Sequence, residues 1–211
     1  SHGRLELGIG AGWYEHEYLA YGYPYPSTHE RLQRLNEAVQ IILAMWTQDK
    51  PVFEGQYYSI HGAINQPKGV QKPHIPLLIG GGGEKVTLRL VAQYADACNI
   101  GGDIATIKHK LDVLKQHCEE LGRNYNSIKR TTLIDYCAIA KTEEAAIAKL
   151  TPDERKNLDE LLPESLIGTP TQIRERLQQY EEAGVQEIIV RFVDAVQLDS
   201  IRMFAQEFMN I

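Results

Sequence analysis

Residues Leu78 to Gly102 run from a short apolar segment into four consecutive glycines, then a helix-patterned segment, then a second apolar run closed by Gly101 and Gly102. That order spells strand, turn, helix, strand, turn, and it restricts the chain to βα units more tightly than any other stretch. Four glycines in a row do not suit the interior of a strand or helix, because each adds backbone entropy and offers no side chain to pack. At the start of a helix, a glycine turn presents bare N–H groups and the positive end of the helix dipole, with no Cβ to hold an anion away. The glycines alone fit two readings, a phosphate-accepting turn or a plain tight turn.

The flanking sequence repeats the βα theme. Leu5, Leu7 and Ile9 alternate with Glu6 and Gly8, which predicts a strand over about Leu5 to Gly10 ending in Gly10-Ala11-Gly12. Trp13 to Pro26 is tyrosine-rich, carries two prolines and has no clean period, so an irregular aromatic loop with a short helical turn at most is expected. Ser27 and Glu30 fit a capping box, with Glu30 reaching back, and Leu32, Leu35, Val39, Ile42 and Trp46 then predict a helix over about His29 to Trp46. Two β-rich runs around Gly55 predict a small hairpin, and Pro67, Pro73 and Pro76 mark an extended connector. Residues 47–74 are therefore taken as an insertion hairpin and connector.

The next expected elements are a strand over Ile75 to Ile79 and a helix over Glu84 to Tyr94 with Val86, Leu90 and Val91 inward. A strand over Asp96 to Ile100 and a helix over Ile104 to Leu121, stopped by Gly122, follow. Thr131 to Ala138 reads as a strand. Capping boxes at Thr151 and Thr169 begin helices reaching Leu161 and Gly184, Val185 to Phe192 is a strand, and about Leu198 to Phe208 a final helix. Each main strand is separated from the next by helix, so right-handed parallel crossovers follow. The pattern fits an open doubly wound sheet or part of an eight-stranded barrel. Gly80 to Gly83 gives no G-x-G-x-x-G with an acidic residue at the next strand end, which favours the barrel.

Composition narrows the function classes. The 211 residues, 43% of them hydrophobic, suit one substantial core, so residues 1–211 are read as a single domain. A formal charge of −6 without clustered cations argues against nucleic acid or an anionic membrane surface. Cys98, Cys118 and Cys137 are widely spaced, which suits buried thiols in a reducing cytoplasm rather than disulfides or zinc. No membrane-length apolar run, signal peptide, metal cluster or Ser/His/Asp hydrolase signature is visible in this sequence.

One ordered series of motifs is more specific than any of its parts. It runs from Gly8-Ile-Gly-Ala-Gly-Trp-Tyr-Glu-His-Glu17 through Glu30-Arg-Leu-Gln-Arg-Leu-Asn-Glu37 and Phe53-Glu-Gly55 to Pro73-His-Ile-Pro-Leu-Leu-Ile-Gly-Gly-Gly-Gly-Glu84. Thr87 to Asn99, Gly122-Arg123 and Gly168-Thr-Pro170 continue it. The series resembles the luciferase-like monooxygenase superfamily, especially its coenzyme F420-dependent oxidoreductases, nearly from end to end. The resemblance implies an α/β fold of the (β/α)8 TIM-barrel type, with this chain covering about strands 4 to 8 and an insertion hairpin after strand 4. Strands one to three would be absent, leaving two open edges and an uncovered inner face. The expected remedy is either pairing of those edges with another chain, as in a homo-oligomer, or a longer protein whose first segment is missing from this N-terminally truncated-looking sequence.

The resemblance also implies a function. It points to an enzyme transferring hydride between F420 and a small organic substrate, with an FMN-dependent monooxygenase using reduced flavin and oxygen as the alternative. A non-catalytic partner subunit or inactive fragment is the reading from another class. Gly80, Gly81, Gly82 and Gly83, with Ile100, Gly101 and Gly102, would receive the cofactor's phosphate, and Gly10, Ala11, Gly12 and Trp13 would flank its ring. His16 and Glu17, just past the first strand end, are the candidate proton donors or acceptors. Trp13 and Tyr14 would wall the pocket, while Arg31 and Glu37 are expected in helix-surface ion pairs.

Overall fold

A computed structural model of the chain describes residues 1–209. They divide into two compact units, Ser1–Cys98 with Val113–Ile128, and Asn99–Asp112 with Lys129 onward.

The first unit holds β1 (Leu7–Ile9), α1 (Glu15–Ala20), α2 (Thr28–Thr47), β2 (Val52–Glu54), β3 (Ser59–His61), β4 (Leu77–Gly80) and α3 (Thr87–Tyr94). β5 (Ala97–Asn99) and α4 (Ile104–Leu121) are each divided at the unit boundary. β1 and β4 are parallel, with Leu7 opposite Leu77 and Ile9 opposite Ile79, and β4 lies between β1 and β5. Leu77 and Ile79 are fully buried, as are Leu88, Val91 and Ala92 of α3, which packs on β4, and α2 adds Leu35 and Val39 to the buried set. Each of the leucine, isoleucine and valine side chains contributes about 1.5–3 kcal/mol by leaving water. Asp96 pins the start of β5 to β4: its amide donates to the Leu77 carbonyl, and its carboxylate accepts from the Leu77 amide, both at 2.8 Å. The expected hairpin is present, antiparallel, with Phe53 opposite Ile60.

Local details depart from the sequence pattern for physical reasons. The Ser27 hydroxyl accepts from the Glu30 amide as expected, but the Glu30 carboxylate turns to the Arg34 guanidinium at 2.8 Å instead of reaching back. α3 starts at Thr87, because the glycine turn runs on through residues 84–86, and Val86 is 41% exposed rather than inward. The aromatic loop contains a six-residue helix, α1, longer than the single turn expected.

The second unit is built on β6 (Lys129–Ile139), followed by α5 (Glu143–Ile147), α6 (Pro152–Lys156), α7 (Leu158–Leu161), β7 (Leu166–Gly168), α8 (Pro170–Glu182), β8 (Glu187–Phe192) and α9 (Asp199–Phe208). β6 pairs in parallel with β7 at Cys137–Ile139 and with β8 from Thr131, with an irregularity between Ile134 and Cys137. The end of β5 joins the same strand through Ile100 N to Thr131 O at 3.0 Å and Asn99 Nδ2 to Thr131 Oγ1 at 2.9 Å. Both predicted capping boxes, at Thr151 and Thr169, close reciprocally. The helix expected to reach Leu161 breaks at Asn157, and α5 and the three-residue β7 are short elements with too few residues to show a period. Parallel sheets are ordinarily covered on both faces. Here Leu133 and its register partner Ile189 are 41% and 45% exposed, so one face keeps apolar surface open among the described residues.

A buried polar knot closes this unit. Lys149 Nζ donates to the Ile139 carbonyl at 2.9 Å, the Asp194 carboxylate at 2.8 Å and the Ser200 hydroxyl at 2.9 Å. Ser200 Oγ also accepts from the Ile139 amide, and Asp194 from the Ser200 amide. The end of β6, the segment after β8 and the start of α9 are thereby tied to one ammonium group.

Candidate functional site

Parallel pairing of β1 and β4 brings two of the glycine turns together. Gly10 stands opposite Gly80, and a Cβ added at Gly10 would lie 3.3 Å from the Gly80 carbonyl oxygen. The backbones therefore leave the same end of the sheet side by side, where any larger residue would force them apart. Gly81 has φ +120°, a conformation that side-chain-bearing residues resist, and Gly83 faces the Thr87 hydroxyl. Among the described residues, no backbone carbonyl or side chain accepts from the amides of Gly81, Gly82 and Gly83. Donors without partners beside a helix start are what an anion needs.

The third glycine turn belongs to the second unit. Ile100 is buried, and Gly102 has φ +127°, with its missing Cβ position 2.8 Å from Thr106 Cγ2. Asp103 caps α4 by accepting from the Thr106 amide at 2.7 Å. Hydrogen bonds from the Thr106 side chain and amide hold its carboxyl below the usual range, outweighing burial, with Arg176 adding to the effect.

Past β1, the aromatic loop is tethered by Arg31. Its Nε donates to the Gly12 carbonyl at 3.2 Å, Nη1 to the Pro26 carbonyl and Nη2 to the Thr28 hydroxyl at 3.3 Å. The guanidinium lies 4.1 Å from the Tyr25 ring centre, and the Tyr25 hydroxyl donates to the Trp13 carbonyl. Both ends of the loop are thus fixed, and its middle is open: Trp13 is 81% exposed. His16 and Glu17 lie on α1, exposed, with the His16 ring 5.8 Å from that of Tyr14. Glu17 borders a small hollow formed with Tyr18, Tyr21 and Tyr23.

Glu37 has a different role from the surface ion pair expected of it. Its carboxylate accepts the amides of Gln56, Tyr57 and Tyr58 at 2.8, 2.9 and 2.9 Å. Burial alone would raise its pKa. The three amides and nearby Arg34 outweigh it and hold the carboxyl below its ordinary value. A Cβ at Gly55 would collide with that carboxylate, which explains the glycine in the hairpin. Arg31 is likewise no surface ion pair: it is 91% buried, and its hydrogen bonds go to uncharged oxygens.

These tethers shape a cleft of about 350 Å³ at the end of β1. Ile9, Gly10 and Ala11 form its floor, Tyr18, Tyr23 and Tyr58 its walls, and Arg31 and Arg34 enter from α2. The sequence reading missed the tyrosines and Arg34 as lining residues. One signal was present: Arg31, Leu35 and Val39 share a helix stripe at four-residue steps, and all three are buried. A charge on an apolar stripe marks a group with work at its tip. Among the described residues, no cluster of His, Cys, Asp and Glu could hold a metal ion, and no helix is long and apolar enough to cross a membrane.

The sequence model of the luciferase-like monooxygenase family matches residues 1–162. The chain belongs to that family. Among its relatives, an FMNH2-dependent dimethylsulfone monooxygenase of Pseudomonas putida is 26% identical over 224 residues, covering 90% of this chain and 61% of that protein. An F420-dependent glucose-6-phosphate dehydrogenase of Kineococcus radiotolerans is 29% identical over 213 residues, covering 89% and 62%. The chain thus spans about six-tenths of the length of these relatives. In structure, it is similar to an F420-dependent secondary alcohol dehydrogenase solved with an F420–acetone adduct, with TM-score 0.82 and 21% identity over 98% of this chain and 69% of that one. DmoA from Hyphomicrobium sulfonivorans gives TM-score 0.72 and 16% identity over 97% and 60%. At such identities the likeness speaks for the fold, which is that of a partial (β/α)8 barrel.

Proposed function

We propose that the protein is an oxidoreductase that transfers hydride between coenzyme F420 and a small organic substrate. The observation that carries the reading is the paired Gly10 and Gly80 turn with the unpartnered amides of Gly81 to Gly83 beside it. The turn fits a phosphate-bearing cofactor: it offers consecutive N–H donors, and a side chain at Gly83 would press on Thr87. F420, when bound, supplies the hydride chemistry of its deazaflavin ring. This chain's residues bind and orient. Gly81 to Gly83 hold the phosphate, with Gly80 leaving room, and Ile100 to Gly102 offer a second glycine turn. Gly10 to Trp13 flank the ring, and Trp13 and Tyr14 exclude water from it. His16 and Glu17, on the helix following that turn, hold or move a proton at the imidazole nitrogens and the carboxylate oxygens.

The chemistry favours a soluble enzyme of the cytoplasm, since its three cysteines are buried and in no disulfide. Its sheet edges are proposed to pair with another chain, as in a homo-oligomer. An FMN-dependent monooxygenase is the second reading, favoured by the Pseudomonas putida relative, which aligns with 90% of this chain. Titration of the intact gene product with F420 and with FMN, followed by cofactor fluorescence, separates them. Saturable F420 binding that drops when Gly81 is replaced is the expected result. Tight FMN binding with none for F420 overturns the choice of cofactor, and binding of neither favours a non-catalytic subunit.

A further inference from the structure

The cleft at the end of β1 has a charge problem that its own residues do not solve. Arg31 is 91% buried, yet among the described residues no carboxylate lies within ion-pair distance of it. Its three hydrogen bonds end on two carbonyls and a hydroxyl. A guanidinium has five N–H donors, so two remain, one on each terminal nitrogen. The second cation of the lining, Arg34, is spanned by the Glu30 carboxylate, which takes Nε at 2.9 Å and Nη2 at 2.8 Å, and is packed 4.8 Å from the Tyr57 ring centre. Among the described residues, no carboxylate lines the cleft itself. The rest of its lining includes the rings of Tyr18, Tyr23, Tyr58, Pro24 and Pro26.

We infer that this cleft is the substrate subsite and that it selects a small organic acid, a carboxylate or phosphate monoester carried on a planar apolar body. A buried cation facing only neutral dipoles gains most from an anion, while a neutral ligand of the same shape displaces water and leaves the charge uncompensated. The tyrosine and proline walls take the planar body, and a volume of about 350 Å³ limits it to a small molecule. That the ligand is the substrate rests on the reading of Gly10 to Trp13 as the cofactor's flank. The binding chemistry is independent of it.

Binding is therefore read without cofactor, by NMR or calorimetric titration of the intact protein with benzoate, phenyl phosphate and the neutral isostere benzamide. Benzoate or phenyl phosphate is expected to bind at least tenfold more tightly than benzamide, and the preference to be lost in Arg31→Gln, with thermal melting to show that the fold stands. Ala38→Leu fills the cleft from α2 without altering charge and is expected to abolish binding of the acids. Equal affinity for benzoate and benzamide overturns the inference, as does acid binding that survives Ala38→Leu or no acid binding at millimolar concentration. F420 and FMN titrations of the unaltered protein are scored separately, so failure of the cofactor reading and failure of the cleft reading give different results.

Discussion

Gly83→Ala tests the cofactor cradle most directly. A Cβ at this position would lie 2.9 Å from the Thr87 hydroxyl oxygen and 3.6 Å from Thr87 Cβ. Thr87 is 5% exposed, opens α3 and is β-branched, so it has little freedom to rotate away. The glycine turn must therefore move by a few tenths of an ångström, taking its amides with it. Forcing a methyl group into a packed site costs about 1–3 kcal/mol. If the ligand needs the amides where they now stand, that cost appears as a loss of about 5- to 150-fold in cofactor Kd. Thr87→Ala removes the obstructing hydroxyl, so the double variant should recover most of the affinity. Fluorescence titration measures Kd for the four proteins, and thermal melting shows whether the fold has suffered. Unchanged affinity in Gly83→Ala refutes the reasoning, and so does a double variant as weak as the single one.

Other consequences are checked as simply. The Glu37 carboxyl is held below its ordinary value, so its contribution is present above the unfolded value and lost as pH falls through the lowered folded one. Glu37→Gln should speed hydrogen exchange at the amides of residues 56–58 at neutral pH and remove this acid dependence, and unchanged exchange would count against the clamp. Burial, then Asp194, pushes the Cys137 thiol up to about 12, with Lys149 opposing. Mass spectrometry should find it unalkylated by iodoacetamide at pH 8 until the protein is unfolded, and labelling at native rates would contradict that environment. Lys149→Met strands the buried Asp194 carboxylate, at a cost of about 3 kcal/mol, the low end for a broken pair because the Lys149 side chain is still 20% exposed. Calorimetry should then show Tm lower by roughly 6–12 °C, whereas a shift below about 2 °C would mean that the knot is not energetically coupled.

Long-range order was legible wherever the chain repeats a period or closes a cap. The apolar runs of β1, β4, β5, β6 and β8 and the stripes of α2 and α4 carry their structure in local sequence, because burial on one face imposes a spacing. Short pieces such as β7 are decided by what they pair with, and three residues cannot display a period. The site divides in the same way. Glycine turns announce themselves, since few other residues tolerate their backbone, and their placement at strand ends follows from parallel pairing. Side chains that act at a distance do not. Glu37 meets an amide group 19 to 21 positions away, and Arg31 reaches back 19 residues to Gly12. From sequence alone, both resemble ordinary charges on a helix.

The Glu37 clamp grips the hairpin by its main chain, and peptide N–H groups are common to every residue except proline. The three amides hold the main chain whatever side chains stand at 56, 57 and 58; Tyr57 adds a tie of its own, its hydroxyl donating to Gln33 Oε1 at 2.7 Å, and Tyr58 forms a wall of the cleft. The hairpin is therefore built as an exchangeable fitting. The Glu37 clamp is indifferent to the residue at position 58, so the cleft can be refitted there for a new ligand with that fastening, and the one Tyr57 makes to Gln33, left intact.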